Sequence, residues 1–144
     1  MHIGMTPQKE RLLFETFPRL YANRSKRFSP MEHGVCCGDG WYELLWKLSE
    51  KLEPLVVAFE QRDSDGAPCP RVIEVCERAG ELRFAMAPAT LVTDAMSSAI
   101  ADAENEAVNT CEMCGSKGRY RVVQASFQTL CDECMREVAM RRWR

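Results

Sequence analysis

Histidine and long apolar runs are both scarce in this chain. Only His2 and His33 occur among the 144 residues, whereas a small zinc nuclease would need histidines to bind a catalytic metal and activate water. Charged residues break every apolar stretch well before the roughly 20 residues that a membrane-spanning helix requires. The first 17 residues also lack an apolar stretch followed by a small-residue cleavage site. We therefore expect a cytoplasmic protein that is neither a nuclease of this type nor a membrane protein.

Cysteine, in contrast, is frequent and ordered near the C-terminus. Two CxxC pairs are separated by 16 residues, and they are formed by Cys111, Cys114, Cys131 and Cys134. This spacing is typical of a tetrahedral zinc site, because each pair can turn two thiolates onto one ion. Four cysteines fill all four positions and leave none for water or substrate. The pattern predicts structural Zn²⁺ that stabilises a fold.

Two other interpretations of these cysteines are weaker. Disulfides would require an oxidising compartment and usually a secretory signal, and no such signal is visible. A redox CxxC works singly, at the start of a helix that follows a strand. Two copies at ligand spacing therefore favour a metal site.

The net charge of −2 conceals an uneven distribution. Residues 1–30 hold six Lys/Arg and two acids, residues 31–110 hold six and fifteen, and residues 111–144 hold seven and four. Four thiolates on one Zn²⁺ would add a further −2 to the last segment. The ends are basic and the middle is acidic.

Helix-start residues and, for the second helix, hydrophobic periodicity predict two helices in the first half of the chain. Thr6 before Pro7 marks the start of a helix over residues 7–16, with the Thr6 hydroxyl capping free amides. Asp39 is the expected N-cap of a second helix that ends near Pro54. Its buried stripe recurs at helical spacing and contains Trp41, Leu44, Leu45, Leu48, Leu52 and Leu55.

The second half predicts a hairpin, a helix and a small C-terminal module. Strands over residues 71–77 and 81–87 flank a turn at Ala79-Gly80. A helix over residues 90–109 leads to Cys111, short strands follow over residues 120–123 and 127–130, and a helix begins at the second cysteine pair. We expect an α+β fold in which helices pack on a small antiparallel hairpin. The expected domains are a body, residues 1–109, and a zinc module, residues 110–144, or one compact unit.

The C-terminal knuckle, hairpin and ligand-bearing helix together resemble a treble-clef zinc module. The spacing is also similar to that of GATA-type DNA-binding fingers, whose insert between the pairs is slightly longer.

A wider resemblance involves residues 37–41 (CGDGW), residues 72–84 and both cysteine pairs. These motifs resemble a family of small, uncharacterised bacterial and bacteriophage proteins. Cys76, Arg78, Ala79 and Glu81 depart from that family's middle motif. The resemblance implies a phage or prophage context in a bacterial host cell, without an established activity.

Catalysis by the remaining candidates is not favoured. His33, Cys36 or Cys37, and Asp39 include a nucleophile, a base and an orienting group, but residues so close in one loop seldom reach the required geometry. A second metal site has no recognisable spacing among its candidates, which are His33, Cys36, Cys37, Cys69 and Cys76. Packing, capping and loop contacts account better for these residues.

The sequence therefore predicts a noncatalytic, zinc-containing binding protein. The expected partner is a host or phage protein, for example a bacterial defence system such as CRISPR–Cas that the chain would inhibit. In that case the acidic residues between Glu32 and Glu106 could imitate nucleic acid in a basic groove of the partner. The alternative is a nucleic-acid-binding zinc-finger regulator. No small-molecule substrate is expected. The candidate partner contacts are Lys117, Arg119, Arg121, Arg136, Arg141, Arg142, Trp143 and Arg144.

Overall fold

The computed structural model describes residues 4–25, 30–62 and 67–141, and within them the fold is α+β. The helices are α1 (Pro7–Thr16), α2 (Tyr42–Arg62), α3 (Asp94–Ala107) and α4 (Asp132–Arg141). The strands are β1 (Arg71–Arg78), β2 (Glu81–Ala87), β3 (Arg119–Val123) and β4 (Ser126–Leu130). They form two separate antiparallel hairpins, β1–β2 and β3–β4. The predicted fold class is confirmed.

The start of α1 joins two distant parts of the chain. Its bounds agree with the sequence prediction, but the Thr6 hydroxyl does not cap a helix amide. The Thr6 hydroxyl instead donates to the Asp39 carboxylate, and the Thr6 N–H donates to Asp39 Oδ1 at 2.7 Å. The prediction of Asp39 as a helix cap is also wrong, because its carboxylate is used by Thr6 and Gly38 precedes the short 3₁₀ turn. Asp39 therefore anchors α1.

Helix α2 is longer than the sequence predicted. It contains Pro54 in its interior and continues to Arg62, so the expected end near Pro54 is wrong. Val56, one turn after Leu52, is fully buried like it, and this packing outweighs the hydrogen bond that proline cannot donate. Across the described ranges, no helix combines the length and apolar character needed to cross a membrane.

The first hairpin and α3 complete the main core. The turn is at Ala79 and Gly80, as predicted, and both residues have positive φ. One face of β2 is buried against α3. Helix α3 starts later than residue 90, because Thr93 accepts a hydrogen bond from the Met96 N–H and forms its N-cap. The largest fully buried side chains of this core include Trp41, Tyr21, Leu13, Leu20, Met31 and Leu45.

The second hairpin lies against the turn of the first. The Thr129 hydroxyl is buried and donates to the Gly80 carbonyl at 2.7 Å. An added Cβ at Gly80 would lie 2.8 Å from the Tyr120 ring. The segments predicted as body and zinc module are thus in direct side-chain contact.

Candidate metal centre

Four cysteine sulfurs from the two CxxC pairs converge on one point. The Sγ atoms of Cys111, Cys114, Cys131 and Cys134 all lie within 4.8 Å of one another. Cys114 Sγ and Cys131 Sγ are 3.6 Å apart, too far for a disulfide bond of about 2.05 Å. A tetrahedral site with metal–sulfur bonds of about 2.3 Å places its sulfurs about 3.8 Å apart. These four residues, the metal centre, can hold a metal ion.

The local backbone explains how the two pairs meet. In the first pair, the Gly115 N–H donates to the Cys111 carbonyl at 2.9 Å, and Gly115 has a φ of +83° that favours glycine. The second pair spans the start of α4, so that Cys131 precedes the helix and Cys134 lies in its first turn. The Cys134 N–H donates a hydrogen bond to Cys131 Sγ at 3.4 Å. Helix amides at this end favour a thiolate.

The thiols of the metal centre have different proton affinities. Hydrogen bonds from the side chain and main chain of Ser116 lower the pKa of Cys114 to about 6. Burial raises the pKa of Cys111 and of Cys134. Metal binding must therefore displace protons from the buried thiols, while exposed Cys114 is already deprotonated in part at neutral pH.

Residues 38–41, the docking segment, hold the first cysteine knuckle. The Gly40 N–H donates to the Glu112 carbonyl at 2.7 Å, and the Gly38 N–H donates to Glu112 Oε2 at 3.0 Å. The Trp41 indole N–H donates to the Thr110 carbonyl at 2.9 Å. Trp41 is fully buried in the main core. The CGDGW motif thus connects the core to the metal centre.

Close backbone contact explains the two glycines of the docking segment. A Cβ on Gly38 would lie 2.6 Å from the Glu112 carbonyl oxygen, and a Cβ on Gly40 would overlap the Cys111 carbonyl oxygen. Main-chain atoms cannot swing aside as a flexible side chain can. Only glycine fits at these positions without moving the knuckle.

Glu112 is a buried carboxyl beside the metal centre that the sequence did not single out. Its side chain turns toward the docking segment, and burial raises its pKa to about 7, partly offset by the Gly38 hydrogen bond. Its position between two ligands in sequence gave no indication of this role.

Several basic residues predicted as partner contacts are engaged with Asp132. The Arg121 side chain is 10% exposed and donates to the Asp132 carboxylate. Arg119 Nη2 lies 3.7 Å from the same carboxylate, and Arg136 Nε donates to the Asp132 carbonyl at 3.4 Å. Lys117 and Arg141 are exposed, whereas the predicted contacts Arg142, Trp143 and Arg144 lie outside the described residues.

One face of the β3–β4 hairpin meets the Gly80 turn through Tyr120 and Thr129, and beyond this contact it leaves apolar side chains exposed, a feature that the sequence analysis missed. Tyr120, Val122 and Phe127 are 47%, 62% and 46% exposed. The rings of Tyr120 and Phe127 lie nearly parallel with centroids 5.6 Å apart. Alternation in β3 could have revealed this face, because its inward neighbours are Arg121 and Val123.

The residues of the alternative catalytic and second-metal interpretations make other contacts. Asp39 is bonded to Thr6, Cys37 is buried, and Cys36 Sγ donates to the His33 carbonyl at 3.6 Å. Among the described residues, the only group of three or more candidate ligands within reach of one ion is the metal centre.

Comparison with known proteins found no relative of this chain. No protein-family model, curated protein or solved structure matches the chain.

Proposed function

We propose that the chain is a noncatalytic, zinc-containing binding protein whose metal is structural and whose partner is another protein. The observation that carries this proposal is the closed cluster of four thiols at the separation of a tetrahedral zinc site. Four thiolates leave no coordination position for water or substrate. Zinc would therefore contribute folding free energy rather than chemistry.

A protein partner is favoured over nucleic acid by the surface of the C-terminal module. Phosphate binding needs a basic footprint, but the side chain of Arg121 is only 10% exposed and is paired with Asp132. The adjoining face contains the exposed apolar residues Tyr120, Val122 and Phe127. Aromatic residues are enriched at protein interfaces, where lysine and acidic residues are depleted. An apolar protein surface fits this face better than a phosphate backbone does.

Imitation of nucleic acid by the acidic middle has less support, because many of its carboxylates serve internal contacts. Glu53 accepts from the Leu20 N–H at 2.7 Å, and Glu60 pairs with Arg71 at 3.0 Å. Glu74 pairs with Arg83 at 2.6 Å. These acids hold the fold together and are not free to form an ordered row of surface charges.

The partner that we propose is a protein of a bacterial host. This choice rests on the resemblance of the CGDGW segment and the cysteine pairs to small phage proteins. The most specific form of this proposal is that the chain inhibits a host defence system. Such an inhibitor would act in the bacterial cytoplasm.

The metal assignment is tested by metal content. Purified parent protein should carry one zinc per chain by elemental analysis. Cys131→Ser should lose zinc and melt at a lower temperature, while Cys69→Ser, which changes a half-buried cysteine outside the metal centre, should retain it. Full zinc content and unchanged melting in Cys131→Ser would contradict the assignment.

The partner class is tested by capture from a bacterial lysate with and without nuclease. Two surface variants are compared with the parent: one carries Val122→Ser and Phe127→Ser, the other Lys117→Glu and Arg141→Glu. A stoichiometric host protein that survives nuclease and is lost only from the variant of the apolar face supports the proposal. Nucleic acid that is lost only from the charge-reversed variant supports the alternative function.

A further inference from the structure

Two half-buried cysteines outside the metal centre lie side by side on neighbouring chain segments. The Cys36 N–H donates to the Val75 carbonyl at 2.9 Å, and the Glu77 N–H donates to the Cys36 carbonyl at 3.0 Å. These two bonds form a parallel bridge in which Cys36 and Cys76 are directly opposed.

This pairing brings the Cα atoms of the two cysteines to a separation that a disulfide can span, and the sulfurs meet once Cys36 Sγ rotates away from the His33 carbonyl. Adjacent strands lie about 4.8 Å apart, and directly opposed residues project their side chains to the same side. Disulfides join cysteines whose Cα atoms are about 4.4–6.8 Å apart. Cys36 and Cys76 meet this requirement without a change in backbone pairing, whereas the next residue, Cys37, is fully buried in the core.

The surroundings of the pair are polar and open to small reagents. Both cysteines are partly exposed, and Arg83 is the partner of Cys76 on β2. Burial raises the pKa of each thiol, and the carboxylates of Glu10 and Glu74 raise that of Cys36 further, as Glu74 does for Cys76. In the reduced protein both thiols are therefore protonated at neutral pH, and their exchange with a disulfide becomes faster as the pH rises.

We propose that Cys36 and Cys76 are a modification site that forms a reversible disulfide by exchange with a low-molecular-weight disulfide. One protein thiol loses its proton to solvent and attacks a sulfur of the small disulfide, which forms a mixed disulfide and releases one small thiolate. The second protein thiol loses its proton and attacks the protein sulfur of the mixed disulfide, releasing the second small thiolate. Two electrons pass to the small disulfide, which leaves as two thiols.

The position of the pair gives the disulfide a structural consequence. Cys36 lies two residues before the docking segment, and that segment is hydrogen-bonded to the cysteine knuckle at Glu112. A covalent link from Cys36 to β1 restricts movement of the chain that carries the docking segment. Oxidation therefore slows opening of the metal centre and slows release of its metal to a chelator.

The test uses zinc-loaded protein, because bound thiolates are protected from exchange. The chain is incubated with oxidised glutathione, free thiols are alkylated, and the digest is read by mass spectrometry. The expected product is a crosslink between the peptides of Cys36 and Cys76, with loss of two free thiols per chain and reversal by dithiothreitol. Cys69→Ser should still form the crosslink, and Cys36→Ser should not.

The results that overturn the proposal are specific. Stable glutathione adducts on Cys36 and Cys76 without a crosslink would show that the two sulfurs do not meet. A lack of any reaction at either cysteine would exclude the modification site. If the crosslink forms and zinc release to a chelator is unchanged, the proposed effect on the metal centre is wrong.

Discussion

Replacing Gly40 with alanine tests whether the docking segment and the metal centre stabilise one another. The added Cβ would overlap the Cys111 carbonyl oxygen and lie 2.5 Å from the carbonyl carbon and oxygen of Glu112. These are main-chain atoms of the knuckle, so the knuckle must move away from the docking segment. The movement breaks the 2.7 Å hydrogen bond from the Gly40 N–H to Glu112 and weakens that from Gly38.

The magnitude follows from the contacts that are lost. Overpacking a close contact costs about 1–3 kcal/mol, and two hydrogen bonds contribute about 1 kcal/mol each. Reduced entropy of the unfolded chain with alanine offsets about 0.4–1 kcal/mol. The expected loss in the free energy of unfolding is therefore about 3 kcal/mol, a large part of the roughly 5–15 kcal/mol of a typical domain. Because binding and docking are linked, zinc affinity should fall by about 100-fold.

Urea unfolding of the zinc-loaded protein and competition with a chromophoric chelator measure these two quantities. Gly4→Ala is the matched control, because its Cβ would meet only the Val35 carbonyl oxygen, at an ordinary 3.7 Å. A Gly40→Ala protein that unfolds and binds zinc like the parent would refute the reasoning, since the docking segment would then be independent of the metal centre.

Three further changes test neighbouring contacts. Trp41→Phe should lower the free energy of unfolding by about 2–4 kcal/mol in urea, because it leaves a cavity in the core and the Thr110 carbonyl without its donor. Although burial acts in the opposite direction, hydrogen bonds from Thr6 lower the pKa of Asp39 below 3.8. The ionised Asp39 therefore stabilises the fold above that pH, and this stabilisation is lost as the pH falls. The difference in stability between the parent and Asp39→Asn should shrink in an acid titration, and a constant difference would contradict this role of Asp39. Above about pH 8, Glu112→Gln should unfold at the same urea concentration as the parent or at a higher one, because glutamine keeps an acceptor oxygen and removes a buried charge. A large loss of stability would show that the charge itself is needed.

Local patterns predicted most of the secondary structure because they depend on neighbouring residues. Pro7 at the first helical position predicted the start of α1, and Ala79-Gly80 predicted the turn of the first hairpin. The errors occurred where distant contacts decide the outcome. Helix α2 passes through Pro54 because residues beyond it pack into the core, and the Asp39 carboxylate bonds Thr6, 33 residues away, instead of capping a helix.

The candidate site was likewise predictable only in part. Two CxxC pairs at ligand spacing predict from sequence alone the four cysteines that the structure brings together, because each pair turns its thiols inward through local backbone geometry. The engagement of Arg119 and Arg121 with Asp132 could not be predicted, since it depends on how the second hairpin lies against α4. Alternation in β3 could have indicated the exposed Tyr120 and Val122, but the position of Phe127 opposite Val122 depends on the register of β3 with β4.

The sequence by itself determined which four cysteines are candidate metal ligands, the α+β class and the uneven charge, because spacing, periodicity and composition are properties of the chain. Only the tertiary structure decided the role of the CGDGW motif. Gly38, Gly40 and Trp41 contact residues about 70 positions away, and these contacts join the metal centre to the core. The same holds for Cys36 and Cys76, which become neighbours only when the chain pairs with β1. Hydrogen bonds between distant segments form in the folded chain, and no local pattern encodes which segments will meet.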